Sequence, residues 1–250
     1  MKSLLLALAL TLSSAAVARA DYPCKEAFSR SGAFAADGRI ILENVNGRIE
    51  VRTWDKNQIL IEGEKTAKSE DELKLIGLDI DLTDTSAGIK VHLPKRHGLW
   101  GSNIRAAVNF RLTVPVTAAL AKISSVNSSI TVEGVRGPVH LDSVNGGIRA
   151  TGLGAEARLN TVNGGIRAAF ASIGSDQQLS FETVNGGIDI SLPPDAGASI
   201  DASVVNGRIR CDFPVTIEGR IGRHLHGTIG DGRATIRASS VNGGIHLESL

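Results

Sequence analysis

One five-residue stretch recurs along most of this chain and restricts the folds that the chain can adopt. Its clearest copy is Val144-Asn145-Gly146-Gly147-Ile148. The copies centre on Asn46-Gly47, Asn145-Gly146, Asn163-Gly164, Asn185-Gly186, Asn206-Gly207 and Asn242-Gly243, with Asn127-Ser128 as a variant. Asn and Gly tolerate a positive φ that a β-branched residue does not, and Asn-Gly between apolar β-formers is a strong turn signal. Each copy therefore predicts a corner between two strands.

The spacing of the copies indicates how the corners are arranged. From Asn127 onward the intervals between asparagines are 18, 18, 22, 21 and 36 residues. A period near 20 residues is typical of stacked repeats and matches one coil of a β-solenoid. An array of β-hairpins would produce similar intervals, but one corner type returns once per period with no second turn type, which favours the solenoid. The long last interval predicts a degenerate copy at Leu225-His226-Gly227-Thr228-Ile229.

Alternation along the predicted strands separates inward from outward positions. The corner isoleucines, such as Ile148, are expected to point inward and to form a ladder in coils stacked about 4.8 Å apart. The residues that follow them are expected to point outward: Thr131, Arg149, Arg167, Asp189, Arg210 and His246. A side-chain amide is both donor and acceptor, so stacked asparagines are predicted to bond to one another or to corner backbone in the next coil.

The region before the regular repeats predicts β-structure with one short helix. Strands are predicted at 39–44, 49–54, 58–65, 78–83, 89–93 and 104–114. The capping box Ser69-Glu70-Asp71-Glu72 predicts a helix around 70–77. The expected fold is all-β: an N-terminal β region at 21–119 and β-solenoid repeats at 120–250, or one continuous domain at 21–250.

The first 20 residues have the features of a secretory signal peptide. Lys2 precedes an apolar run at 4–12, and Ala18-Arg19-Ala20 is a typical cleavage site. The run is too short to span a membrane, so the mature protein is expected to be exported, to the periplasm or the cell surface. Residues 21–24 lack the small apolar residues that precede a lipidated cysteine, so no lipid anchor is expected.

Charge and composition argue against nucleic acid as a partner. Loss of the signal peptide lowers the basic residues from 27 to 25, against 26 acidic residues. Aromatic residues make up only 4% of the chain, and no basic stripe contains stacking residues. A nearly neutral chain of this kind is a poor nucleic-acid binder.

The two cysteines allow two interpretations. In an exported protein, Cys24 and Cys211 are candidates for a disulfide. Alternatively, Cys211 occupies an inward core position, because the repeats align it with Val132, Ala150, Ala168, Ile190 and Leu247. The sequence leaves both open.

The repeated turns resemble the family of exported bacterial proteins called putative adhesins, a domain of unknown function with repeats of the form T-V-N-G-x-I. The resemblance extends from the Asn44-Val45-Asn46-Gly47-Arg48-Ile49 copy to the Ser240-Val241-Asn242-Gly243-Gly244-Ile245 copy. The stretch 217–236 is similar to the glycine-rich approach to the family's last repeat. The resemblance implies a β-solenoid-like fold and an envelope or surface location, and it supplies no catalytic residues. Ser128-Ser129 departs from the pattern.

Four residues are candidates for binding. The outward Arg149, Arg167 and Arg210 would form a ligand-binding stripe, or simply a solvated face. Trp100, in a predicted loop, would stack on a sugar or enter a partner's pocket, or fold back on the core.

Evidence for catalysis or a metal is weak in this sequence. Asp142 and Glu182 fall in one column about 10 Å apart, whereas paired catalytic carboxylates stand about 5–9.5 Å apart. Asn160 intervenes between them. His224 and His226 share one face of a strand, but no third ligand is close in sequence. We therefore predict no catalytic residues, no metal and no cofactor.

The sequence thus predicts a non-enzymatic exported envelope protein, an adhesin or structural protein that presents a repeat surface to a glycan or protein partner. One alternative is a carbohydrate-active enzyme on a β-solenoid scaffold that uses Asp142, Glu182 or Asp189. Another is a scaffold that assembles through its open solenoid ends.

Overall fold

A computed structural model of the chain describes residues 23–93, 106–217 and 222–250. The strands are β1 (Cys24–Ala33), β2 (Arg39–Asn44), β3 (Ile49–Trp54), β4 (Gln58–Ala67), β5 (Gly77–Leu82), β6 (Ser86–His92), β7 (Ala106–Pro115), β8 (Ala119–Ser125), β9 (Ile130–Glu133), β10 (Val139–Ser143), β11 (Ile148–Leu153), β12 (Ala157–Asn163), β13 (Ile166–Phe170), β14 (Gln178–Asn185), β15 (Ile188–Leu192), β16 (Ala198–Asn206), β17 (Ile209–Cys211), β18 (Thr216–Ile217), β19 (His224–Ile229), β20 (Ala234–Asn242) and β21 (Ile245–Ser249). Helix α1 spans Glu70–Lys74.

The strands form two sheets that face each other across an apolar core. Sheet A has the order β1-β4-β7-β3-β9-β11-β13-β15-β21-β17, and sheet B has the order β18-β19-β16-β20-β14-β12-β10-β8-β2-β6-β5. Each corner joins a strand of sheet B to the next strand of sheet A, so one coil contributes one strand to each sheet. Neighbouring corner coils pair in parallel and in register, as Ile148 does with Ile130 and Ile166. The predicted β-solenoid-like stack is confirmed.

The core takes its side chains from alternate positions of each strand. In β12, Ala157 and Leu159 are buried while Arg158 between them is exposed. The corner isoleucines are all buried: Ile49, Ile130, Ile148, Ile166, Ile188, Ile209 and Ile245. Burial of one such side chain stabilises the fold by roughly 1.5–3 kcal/mol. The isoleucine ladder therefore holds each coil against its neighbours.

The coils do not stack in the order in which they occur along the chain. The last coil, made of β20 and β21, lies between the coil of β14 and β15 and the coil of β16 and β17. Residues 225–229 form no corner, because they lie within β19, which pairs antiparallel with β16. The expected degenerate copy at residues 225–229 is therefore wrong. The interval before Asn242 is long because the chain turns back at sheet B and fills the space between β14 and β16.

The N-terminal coil is also enclosed by residues that come later in the chain. Strand β2 lies between β6 and β8, and β3 lies between β7 and β9. Antiparallel strands lie beyond this coil, with β1, β4 and β7 in sheet A and β5 beside β6 in sheet B. Both sheets thus continue across the boundary expected at residues 119 and 120.

The predicted short helix is present and capped as expected. The hydroxyl of Ser69 accepts a hydrogen bond from the backbone N–H of Glu72 at 3.2 Å, as a capping box predicts. Helix α1 ends at Lys74, earlier than the predicted end at 77, because Gly77 already begins β5.

The two cysteines lie at opposite edges of sheet A, and both are free. Nine spacings separate the edges of this ten-stranded sheet, each about 4.8 Å wide, whereas the Cα atoms of a disulfide lie within about 7 Å of each other. The candidate bridge between Cys24 and Cys211 within one chain is therefore wrong. Cys211 follows the other interpretation, because it is in register with Leu247 and packs against the core.

The predicted signal peptide at residues 1–20 lies outside the described residues. Within the described ranges, no helix is both long enough and apolar enough to cross a membrane.

Candidate binding groove beside the repeated corners

The strand that enters a corner places a small polar side chain inside and a valine outside. Thr161 is buried, and its hydroxyl donates to the carbonyl oxygen of Gly146 in the neighbouring coil at 2.9 Å. Equivalent bonds run from Ser143, Thr183 and Ser240. The next residue, Val162, is 41% exposed. The alternation of the strand thus continues up to the corner. The small polar residue, such as Thr161, points inward and the following valine points outward.

The asparagines of the corners form one hydrogen-bonded stack. Asn163 donates from Nδ2 to Oδ1 of Asn145 at 2.9 Å, and Asn145 donates to Asn127 at 2.9 Å. In spatial order the stack contains Asn46, Asn127, Asn145, Asn163, Asn185, Asn242 and Asn206. Each internal amide is both donor and acceptor, which Asp or Gly would not be. The stack therefore keeps successive corners in register.

The first glycine of a corner is required by close packing between coils. A Cβ atom on Gly164 would lie 2.3 Å from the carbonyl oxygen of Gly146, and one on Gly186 would lie 2.0 Å from that of Gly164. Among the first glycines of the corners, only Gly47 has a positive φ, at +112°. Gly164 does not have a positive φ, and there the neighbouring backbone excludes a side chain.

The variant corner at Ser128 has a different neighbour. Its adjacent coil contains Gly47, whose backbone N–H donates to the Ser128 hydroxyl at 2.8 Å. At the first-glycine position of this corner, the Ser128 side chain therefore forms a hydrogen bond with the neighbouring coil, where a glycine would make a close backbone contact.

The second glycine of a corner is less tightly packed than the first. A Cβ atom would lie 3.5 Å from the nearest backbone oxygen at Gly187, and at the tighter distance of 3.2 Å at Gly147 and Gly244. A Cβ atom on Gly165 would meet only the carbonyl oxygen of Gly187 at 3.4 Å, an ordinary van der Waals contact. Hydrogen bonds from each corner isoleucine set the spatial order of this position as Arg48, Ser129, Gly147, Gly165, Gly187, Gly244 and Arg208. Three coils thus carry a side chain here, and close packing does not require the glycine at Gly165 or at Gly187.

Two arginines lie side by side on the outer face of sheet A. Arg149 on β11 and Arg167 on β13 are in-register partners, and both are exposed. Like charges on directly opposed residues of a sheet are destabilising. Nε of Arg167 lies 3.4 Å from Oδ2 of Asp189, whereas Arg149 forms no ion pair with a described residue. The described residues therefore leave the charge of Arg149 without an ion-pair partner.

The glycines and arginines line one groove of about 450 Å³, which we call the corner groove. Its defining residues are Gly147, Gly165, Gly187, Arg149, Arg167 and Asp189. Sequence reasoning missed the three glycines. The available signal was the presence of Arg48, Ser129 and Arg208 at the same position in other copies, which indicates that the corner itself needs no glycine there.

The predicted binding residues do not all meet in this groove. Arg210 lies on β17, and His246 of the inserted C-terminal coil separates it from Asp189. The structure thus groups Arg149 with Arg167 and moves Arg210 away. Trp100 lies outside the described residues.

The carboxylates considered for catalysis do not share one surface. Asp142 and Glu182 lie on the outer face of sheet B, separated by Asn160, which donates to Asp142 at 2.9 Å. Asp189 lies on sheet A, across the core. His224 and His226 both lie on β19, and the described ranges contain no group of three or more side chains suited to a metal ion.

A serine, a histidine and two acids lie on or directly after strands β15, β21 and β17 of sheet A. The hydroxyl of Ser191 donates to Oε1 of Glu248 at 2.6 Å, while Nε2 of His246 lies 3.1 Å from Oδ2 of Asp212. A nucleophilic serine requires a base within hydrogen-bond reach that a third group orients. Because the hydroxyl is bonded to a carboxylate rather than to the imidazole, this arrangement does not match that requirement.

Comparisons with known proteins agree with the fold. A family model described as Toastrack DUF4097 matches residues 79–248. The structure of a putative cell adhesion protein from Clostridium sporogenes ATCC 15579 is similar, with a TM-score of 0.52 and 14% identity over 90% of this chain and 100% of that chain. A putative adhesin from Bacteroides fragilis NCTC 9343 has a TM-score of 0.42 and 13% identity over 90% of this chain and 98% of its own. No curated protein matches the sequence.

Proposed function

We propose that this chain, which belongs to the Toastrack DUF4097 family, is a non-enzymatic binding protein of the bacterial envelope that uses the outer face of sheet A. The observation that carries the proposal is the corner groove, where Arg149 and Arg167 lie in register on strands held by the asparagine stack. A preorganised surface loses little conformational freedom on binding, so more of the contact energy appears as affinity.

Two further observations support a role in the envelope. Residues 1–20 have the features of a secretory signal peptide. A protein of similar fold from C. sporogenes is described as a putative cell adhesion protein. The mature chain accordingly acts in the periplasm or at the cell surface, and its partner is an envelope glycan or protein.

The arrangement of the acids supports binding rather than catalysis. Asn160 separates Asp142 from Glu182 by two strand spacings, and Asp189 lies on the other sheet. An acid and a base that act on one glycosidic bond must flank it from a shared cleft. These three residues do not provide that geometry.

The test is binding of the purified mature protein to fractionated envelope material and to glycan arrays. We expect saturable binding that the double variant R149A/R167A weakens. The matched control is R158A/R237A, which removes two exposed arginines from sheet B that form no ion pair with a described residue. Absence of binding to every envelope fraction, or equal loss in both double variants, would refute the proposal. Release of reducing ends that D142N or E182Q abolishes would replace it with the enzymatic alternative.

A further inference from the structure

We propose that the corner groove binds an acidic polysaccharide that lies along the axis of the stack, with its anionic groups at Arg149 and Arg167. This inference rests on the proposed function of the same face and adds the chemical class and direction of the ligand.

The charge balance of sheet A indicates an anionic ligand. In the N-terminal coils the arginines are compensated: Glu50 contacts Arg48 at 3.4 Å and Arg111 at 3.5 Å. In the corner groove two in-register arginines lie near one acid, Asp189, and among the described residues Asp189 forms an ion pair with Arg167 but not with Arg149. A guanidinium presents five N–H donors in a planar fork that fits a carboxylate or phosphate. The groove therefore has donor capacity that the described residues do not use.

The shape of the groove indicates an extended ligand along the stack. Gly147, Gly165, Gly187 and Gly244 are consecutive in space, with Ser129 and Arg208 at the two ends of the run. Coils stacked about 4.8 Å apart place the first and last of these glycines about 14 Å apart. The missing side chains leave an open floor, which close packing does not require at Gly165 or Gly187. A polymer that crosses the strands can follow this floor past both arginines.

The backbone groups along the glycine floor of the groove are already hydrogen-bonded between coils, which favours a polysaccharide over a peptide as the ligand. The backbone N–H of Ile148 donates to Gly165 at 3.0 Å, and that of Ile166 donates to Gly187 at 2.9 Å. A peptide that recognises a sheet through its main chain adds to a free strand edge, and these floor strands are paired on both sides. The groove instead offers side-chain donors, which suit a ligand with hydroxyl and acidic groups.

The test compares oligogalacturonate with its neutral methyl ester by titration calorimetry. The wild-type protein is expected to bind the acid at least about tenfold more tightly than the ester, since hydrogen bonds to charged groups are strong. R149A/R167A should lower affinity for the acid to the level of the ester. Gly165→Leu fills the groove floor at a position with room for a side chain and should cause a similar loss with an unchanged melting temperature. The control R158A/R237A should change affinity by less than about twofold.

A parallel titration with phosphorylated mannan distinguishes a phosphate ligand from a carboxylate ligand, and binding of either through Arg149 and Arg167 supports the inference. Equal binding of the acid and the ester would overturn it, and so would full affinity in a folded Gly165→Leu variant. Tighter binding of poly-glutamate than of both glycans would assign the groove to an acidic peptide. If envelope fractions bind through sheet A but neither acidic glycan binds, the inference fails while the proposed function stands.

Discussion

Asn242 donates a hydrogen bond from Nδ2 to Oδ1 of Asn185 at 2.8 Å, although 57 residues separate them in the chain. On its other side, Asn242 accepts a bond from Asn206 at 2.9 Å. The C-terminal coil therefore joins two coils that precede it in sequence. Continuity of the asparagine stack beyond Asn185 depends on the insertion of residues 234–250.

The asparagine stack should contribute measurably to stability. Asn163→Ala removes one donated and one accepted bond. Because each bond has a net worth of about 0.5–1.5 kcal/mol, the free energy of unfolding should fall by about 1–3 kcal/mol in urea denaturation. Asn57→Ala, in an exposed turn, is the control and should change it by less than about 0.5 kcal/mol. Equal losses in the two variants would show that the stack adds nothing.

Adjacent glycines in one corner should respond differently to the same substitution. Gly164→Ala places a Cβ atom 2.3 Å from a backbone carbonyl oxygen, and overpacking of this kind costs about 1–3 kcal/mol. Gly165→Ala makes only an ordinary contact and should alter the free energy of unfolding by less than about 0.5 kcal/mol. Thermal unfolding of both variants provides the measurement. Similar destabilisation by the two would contradict the distinction between the two corner positions.

The last two residues before a corner offer a second matched pair. Thr161→Val keeps the side-chain shape but removes the donor to Gly146, which should cost about 0.5–1.5 kcal/mol. Val162→Thr alters an exposed position and should be nearly neutral, within about 0.5 kcal/mol. Chemical denaturation distinguishes the two. A larger cost for Val162→Thr than for Thr161→Val would indicate that Val162 is covered in solution.

The reactivity of Cys211 should depend on pH in a direction set by its surroundings. Burial raises the pKa of the Cys211 thiol above its ordinary value, and the nearby Asp212 carboxylate adds a smaller increase. In a C24S background, alkylation of the folded protein should therefore accelerate only at a pH above the usual thiol range. A thiol alkylated equally fast in the folded protein and in urea would contradict this.

The same pKa shift has a consequence for stability. As the pH rises past the ordinary thiol value, the unfolded chain loses its proton first, so the free energy of unfolding should decrease up to the higher pKa of the folded state. The variant C211S should lack this component, which denaturation at several pH values would detect.

Several local features were predictable because short-range chemistry determines them. The hydroxyl of Ser69 caps α1, since the capping partners lie three residues apart in the chain. Strand alternation buries Ile148 and exposes Arg149, because successive residues point to opposite faces. The candidate site was predictable to the extent that Arg149 and Arg167 share a face.

The order of the coils could not be predicted in this way. All corners have nearly the same sequence. The corner sequence alone therefore does not show whether the corner of Asn185 stacks against the corner of Asn206 or that of Asn242. Contacts between residues far apart in the chain decide which coils are neighbours. The spacing of the repeats along the sequence does not reveal these contacts. That choice inserts the last coil, moves Arg210 away from the groove and places Cys211, on β17, at an edge of sheet A.

The sequence by itself thus determined the corner, the inward isoleucines and the all-β stack, because each depends on turn chemistry and side-chain alternation within a few residues. Only the tertiary structure decided which coils touch and why Gly164 must lack a side chain while Gly165 need not. The neighbours of each coil and the need for glycine at position 164 both depend on how close the backbones of separate coils lie. That distance is set only when the chain folds.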